Sequence, residues 1–143
     1  MAKRLFWEDI EEGSEIPPLM KEPTTEQLVR WAGASGDYYQ IHYDKDFALG
    51  NALPSVVVHG ALKSGWLGQL LGDWVGDTGT IKKYGCTYRG MDVPGEKLTC
   101  KGKVVKKYVE GDELLVELEI WIENGQGQKT TLGTGVVGLP SKS

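Results

Sequence analysis

The chain has 143 residues, 40% of them hydrophobic and 25% charged, with a formal net charge of −4. That length makes one domain, residues 1–143, with a core of its own, and is too short for two. A mildly acidic chain lacks the clustered Lys and Arg that phosphate neutralisation needs, which argues against general nucleic-acid binding, and no stretch has the length and apolarity to cross a bilayer.

The amino terminus, MAKRLFWEDIEEGSEI, carries no apolar secretory segment, so a cytoplasmic location is expected. Residues 3–23 pass through Gly13 and Pro17-Pro18 to a short run before Pro23 that fits one strand. Thr24 followed by Gln27 fits a capping box, and Leu28, Trp31 and Ala32 recur at helical spacing, which predicts a helix from about 24 to 34. Asp44 fits the cap of a second short helix carrying Phe47 and Ala48, ended near Gly50-Asn51 and Pro54. After the β-branched run Val56-Val57-Val58-His59, Gly60 opens the longest helical pattern. Leu62, Trp66, Leu70 and Trp74, flanked by Leu67 and Leu71, predict a largely buried central helix from about 60 to 75. Ala61, Gly65, Gly68 and Gly72 form one smooth stripe of it, suited to close packing against a sheet, a partner subunit or an elongated ligand.

From Gly79 the period changes to two. Residues 79–91, 96–108, 112–124 and 129–138 read as four antiparallel strands, separated by turn signals at 92–95, 110–112 and 124–127. In the third, Leu114, Val116, Leu118, Ile120 and Ile122 point inward and the alternate residues mostly to water. Lys101, Lys103, Lys106 and Lys107 mark solvent-facing positions and a protected edge. Cys86 and Cys100 are too few and too far apart for a zinc framework and are expected to be reduced, buried thiols. The tail from Pro140 to Ser143 is expected to fray. The fold class is therefore α+β, an antiparallel sheet wrapped around one long helix, and pairing of exposed sheet edges between two subunits predicts a dimer.

The chemistry concentrates between Ala34 and Leu62. Asp37 and His42 are five residues apart, a spacing that turns the side chains away from each other on a helix and separates them by roughly 16–18 Å on an extended strand. Only an irregular, folded-back segment after Gly36 brings carboxylate and imidazole together on one water or one proton. Taken singly, Asp37 reads as a turn residue and His42 as a structural histidine. The combination points to proton transfer. Asp44 reads as a helix cap, and Trp66 and Trp74 as core aromatics.

Ser35-Gly36-Asp37, Ile41-His42, Asp44, Ala48 and Val58-His59-Gly60-Ala61-Leu62 together resemble the MaoC-like family of (R)-specific enoyl-CoA hydratases and 3-hydroxyacyl-thioester dehydratases, over nearly the whole chain. The resemblance implies a single hotdog fold, a hydro-lyase acting on acyl thioesters in fatty acid metabolism, Asp37 and His42 as the catalytic pair, and the backbone N–H of Gly60 as the oxyanion donor. His59 is placed to orient that loop, or to serve as a structural imidazole where the helix begins. Tyr39, with Tyr38 and Tyr43, is placed to line the acyl pocket or the core. The family pattern has Asn-Pro where this chain has Tyr39-Gln40, which keeps the Asp-to-His spacing and changes the loop between them. No metal or redox cofactor is required. The thioester carrier is coenzyme A or acyl carrier protein, with Lys82, Lys83 and Arg89 as candidate phosphate contacts. Homodimers, higher homo-oligomers and heteromers are all compatible. The rival readings are a hotdog acyl-CoA thioesterase and a non-catalytic acyl-binding subunit of a heteromeric hydratase.

Overall fold

A computed structural model describes residues 4–143. Leu19–Lys21 forms the short strand β1, and helix α1 (Thr25–Ser35) follows through a cap in which the Thr24 hydroxyl accepts from the Gln27 N–H at 3.1 Å. Gly36 ends α1 in the left-handed region at φ 77°, where a side chain would be strained. Helix α2 (Lys45–Gly50) is capped by the Asp44 carboxylate, which accepts from the Phe47 N–H at 3.1 Å. Val56–Val58 does not form a strand. Its N–H groups are used singly, that of Val57 by the Ile41 carbonyl and that of Val58 by the Asp92 carbonyl.

Helix α3 (Gly60–Val75) is the centre of the core. Leu67 and Leu71 are wholly buried, with Leu62, Trp66, Leu70 and Val75 beside them, and each such side chain contributes roughly 1.5–3 kcal/mol of burial. Trp74 is only partly buried. The glycine stripe serves the sheet: a Cβ on Gly68 would meet the Tyr84 hydroxyl at 2.7 Å, and one on Gly72 would touch Ile81.

Strands β2 (Thr80–Tyr88), β3 (Leu98–Glu110), β4 (Glu113–Glu123) and β5 (Lys129–Gly138) join β1 in one antiparallel sheet of order β1-β3-β4-β5-β2, and α3 packs against β2, β3, β4 and β5. The turn signals at 110–112 and 124–127 make hairpins. Residues 92–95 do not. The chain leaves β2 there and crosses to the other side of the sheet, because β2 pairs with β5, from Thr80↔Gly138 to Tyr88↔Thr131.

Four expectations change, in whole or in part. The outer face of β4 is not mainly wet: Leu115 and Trp121 are 3% and 7% exposed. The Trp7 indole N–H reaches the Leu115 carbonyl at 2.9 Å, and Lys129 lies over Trp121. The lysine-rich strand β3 is covered along its edge as far as Val104, while Lys103 and Lys106 stay exposed as expected. Residues 12–21 lace onto it through β1, the Glu15↔Lys103 bridge and the Gly13, Ile16 and Val104 backbone bonds, while Lys101 pairs with Glu123 across the sheet at 3.2 Å. The tail is tied down. Trp7 donates to the Pro140 carbonyl at 3.0 Å, and Ser141 and Lys142 bond Glu8 and Asp9. Cys100 is buried, which pushes its thiol up to about 12, whereas Cys86 is only half-buried.

Candidate active site

The turn between α1 and α2 is built by short local bonds. The Ser35 hydroxyl donates to the Trp31 carbonyl at 2.7 Å and accepts from the Asp37 N–H at 3.2 Å, and Asp37 Oδ1 accepts from the Tyr39 N–H at 3.3 Å. Gln40–His42 then winds one tight 3-10 turn, with the His42 N–H on the Tyr39 carbonyl. Helix end, left-handed glycine and tight turn produce the folded-back segment that the Asp-to-His spacing demands.

His42 is 7% exposed, and its Nδ1 lies 2.7 Å from the Val57 carbonyl. A carbonyl oxygen only accepts, so Nδ1 carries a proton. In the neutral ring the lone pair is therefore on Nε2, 3.8 Å from Asp37 Oδ2. This separation exceeds a hydrogen bond and suits a single water touching both groups. The Asp37 side chain is 47% exposed, so the pair opens to solvent on one side.

His59 is wholly buried behind this pair. Its Nε2 lies 3.3 Å from the Asp37 carbonyl and must be the donor, its Nδ1 has no partner among the described residues, and its ring stacks on His42 with centroids 3.8 Å apart at 19°. Burial, followed by the neighbouring His42, holds its pKa below the ordinary 6.5. His59 is therefore a neutral support. Asp37, His42 and His59 offer ligand atoms within 4.8 Å of one another. Near-parallel rings send their in-plane lone pairs side by side, a poor fit to the converging set a tetrahedral or octahedral metal needs.

Gly60 is the first residue of α3, with His59 at the cap position. The N–H groups of a first turn have no partner inside the helix and stand at the positive end of its dipole. The ring of Tyr88, half-exposed at the end of β2, lies where a Gly60 side chain would be, with two carbons 2.9 Å from an ideal Cβ. Burial and the Cys86 thiol raise the Tyr88 hydroxyl, against the Ser64 hydroxyl. Tyr39 stands edge-on to His42, with centroids 6.2 Å apart, and to Phe47. Thus Asp37, His42, His59 and Tyr39 come together, and Gly60 follows His59 directly. Tyr38 and Tyr43 are exposed and not part of the core. Lys82 pairs with Glu113, and seven residues of strand place Arg89 roughly 23 Å from it, so these cations form no cluster within one chain.

Sequence reasoning passed over one group. Lys63, 2% exposed, donates from Nζ to Asp92 Oδ2 and to the Gly90 carbonyl, each at 3.1 Å, and the Thr130 hydroxyl donates to Asp92 Oδ2 at 2.7 Å. The signal was a lone charge at helical spacing among Leu62, Trp66, Leu67 and Leu70.

A family model described as MaoC like domain matches residues 13–124. No curated protein matches the chain significantly. Among solved structures, an (R)-hydratase from A. caviae involved in PHA biosynthesis is 24% identical, with 92% of this chain and 98% of that one covered and a TM-score of 0.81. The R-hydratase PhaJ1 from Pseudomonas aeruginosa is 16% identical, with 97% and 88% covered and a TM-score of 0.86. The ChsH1-ChsH2 complex from Mycobacterium tuberculosis gives 21%, 90% and 98%, and 0.79. Likeness at these identities shows the fold, which is the hotdog fold.

Proposed function

The chain belongs to the MaoC-like domain family, and from that membership we propose that it interconverts a trans-2-enoyl thioester and water with an (R)-3-hydroxyacyl thioester. The observation that carries this reading is His42: its Nδ1 is held by the Val57 carbonyl, so its basic Nε2 faces the Asp37 carboxylate at 3.8 Å. One water held between them gives up a proton to this pair as its oxygen bonds to C3. The C2–C3 π electrons move toward the thioester carbonyl, whose oxygen gains charge and is met by the Gly60 N–H. C2 then takes a proton from the pair. Both hydrogens and the oxygen of water end on the product, and the pair returns to its starting state.

His59 and Tyr39 support this site, one by backing His42 and holding the Asp37 carbonyl, the other by walling the exposed side. The protein acts as a single domain in the cytoplasm, on a substrate carried by coenzyme A or acyl carrier protein. It works as a dimer. Among the described residues strand β2 leaves one side of its ladder free at the sheet edge, and Tyr84 and Tyr88 on it are exposed; a second copy or a related subunit would cover that edge.

The test follows the ultraviolet absorbance of a panel of trans-2-enoyl-CoA substrates on adding the isolated chain, wild type against Asp37→Asn. Absorbance falls with wild type, and the rate drops by about 10²–10⁴ in the variant. Equal rates refute the assignment of Asp37. Release of free thiol from a saturated acyl-CoA would instead identify a thioesterase, and an inert homomer would identify a non-catalytic subunit.

A further inference from the structure

The buried ion pair of Lys63 and Asp92 stands beside the proposed oxyanion donor. Lys63 is three residues after Gly60 in the first turn of α3 and so lies on the same helix face. The Tyr88 ring covers both: its centroid is 5.6 Å from Lys63 Nζ, and its edge fills the space a Gly60 Cβ would need. Asp92, wholly buried, is fixed from behind by the Thr130 hydroxyl of β5, and its backbone carbonyl takes the Val58 N–H at 2.8 Å. One pair thus ties together the start of α3, the segment leading into His59-Gly60, the chain leaving β2, and β5.

A cation is an unfavourable choice for this position. The start of a helix is already the positive end of its dipole, and burying an ion pair costs desolvation that a Leu or Met in the same stripe would avoid. The charge is therefore explained by use better than by packing.

We propose that Lys63 is a positioning residue of the oxyanion site: its ammonium, pinned between Asp92 and the Tyr88 ring, holds the Gly60 N–H in place and adds positive potential where the thioester carbonyl oxygen gains charge. This inference rests on the hydratase reading of Gly60. The carboxylate is held by the Thr130 hydroxyl and the ammonium by Asp92, the Gly90 carbonyl and the nearby Tyr88 ring, so the pair is fixed from both ends and needs no reorganisation during reaction. The ground-state carbonyl carries little charge, so the effect falls on kcat more than on KM.

The experiment compares wild type, the neutral double variant K63Q/D92N, the charge-retaining Lys63→Arg, and Asp37→Asn, using enoyl-CoA hydration, circular dichroism and thermal unfolding. The double variant keeps amide hydrogen bonds at both positions. It is expected to fold, to lose about tenfold in kcat and to hold KM within about twofold, while Lys63→Arg stays within about threefold of wild-type kcat. A folded double variant with wild-type kcat, or with its loss confined to KM, overturns the proposal. Should the double variant not fold, Lys63→Arg decides: folded with near-wild-type kcat it supports the charge, and folded with kcat about tenfold down or worse it overturns it. Wild type active and Asp37→Asn inactive upholds the hydratase reading whatever the Lys63 variants show. Wild type inert toward every enoyl thioester overturns both.

Discussion

Replacing His42 by Asn separates its chemical role from its structural one. The Asn amide N–H occupies the place of Nδ1–H and can keep the bond to the Val57 carbonyl, now 2.7 Å long, but nothing replaces Nε2 opposite Asp37. Loss of positioned proton transfer lowers kcat by about 10²–10⁴, or roughly 2.7–5.4 kcal/mol at 1.36 kcal/mol per decade. Stability should fall by only about 1 kcal/mol, the usual size for a single substitution that leaves no buried group unpaired. His42→Ala should lose the same activity and about 1–3 kcal/mol more stability, because it orphans the Val57 carbonyl. The assay pairs initial hydration rates with urea unfolding of both variants. Activity of His42→Asn within about tenfold of wild type would refute Nε2 as the proton carrier, and equal stability of the two variants would refute the role given to Nδ1.

Three further outcomes follow from the same geometry. His59 has its pKa lowered below 6.5 by burial, so it is neutral when folded and charges more readily when unfolded; its stabilising contribution is complete above pH 6.5 and is lost as pH falls from 6.5 toward the lowered folded value. Urea midpoints at about pH 7.5 and about pH 5.5 should therefore differ more for wild type than for His59→Asn, and equal differences would refute a neutral buried ring. Gly60→Ala drives a Cβ to 2.9 Å from two Tyr88 ring carbons. Tyr88 is half-exposed and swings aside, so the melting temperature should move by only a few degrees while kcat/KM falls by roughly tenfold; unchanged kcat/KM would remove the oxyanion assignment. Leu67→Ala, at a wholly buried position in the middle of α3, should cost about 2–5 kcal/mol in urea unfolding, and a loss below about 1 kcal/mol would contradict α3 as the centre of the core.

What was legible in the sequence was local. The Thr24 and Asp44 caps, the apolar stripe of α3, and the period-two runs of β3, β4 and β5 each depend on residues a few positions apart, and each lies within about two residues of its expected bounds. The misreadings depend on long-range partners. The turn expected at 92–95 is present but joins no hairpin, because the way the sheet closes round α3 sets β2 beside β5. The first half of β3, as far as Val104, loses its edge because residues 12–21 cover it, and the tail is ordered by Trp7, Glu8 and Asp9, more than a hundred residues away in sequence. Lys63 belongs to the same class. A lone lysine among leucines announces an oddity, but only Asp92 and Thr130, brought in from a loop and another strand, show that its charge is met.

The Tyr39-Gln40 pair, which departs from the expected Asn-Pro, alters some features of the turn and leaves others alone. The turn that carries Asp37 to His42 is closed by carbonyls: that of Tyr39 takes the His42 N–H, and that of Gln40 takes those of Tyr43 and Asp44. Every residue type supplies a carbonyl, and the bonds closing the turn do not call on the N–H of residue 40, so a residue with or without that N–H makes the same connection. The side chains that hold the turn are those of Ser35, which takes the Asp37 N–H, and Asp37, whose Oδ1 receives the Tyr39 N–H, and neither is altered by the departure. The consequence of the departure therefore lies in the Tyr39 ring, which stands edge-on to both His42 and Phe47 and is 55% exposed. Under the proposed function an exposed aromatic ring beside His42 serves as a wall for the acyl group, without being one of the proton-transferring pair. Substitution at 39 should accordingly change which acyl groups are accepted before it changes how fast the preferred one reacts, and a Tyr39→Asn variant with an unaltered ranking across the enoyl-CoA panel would contradict that division.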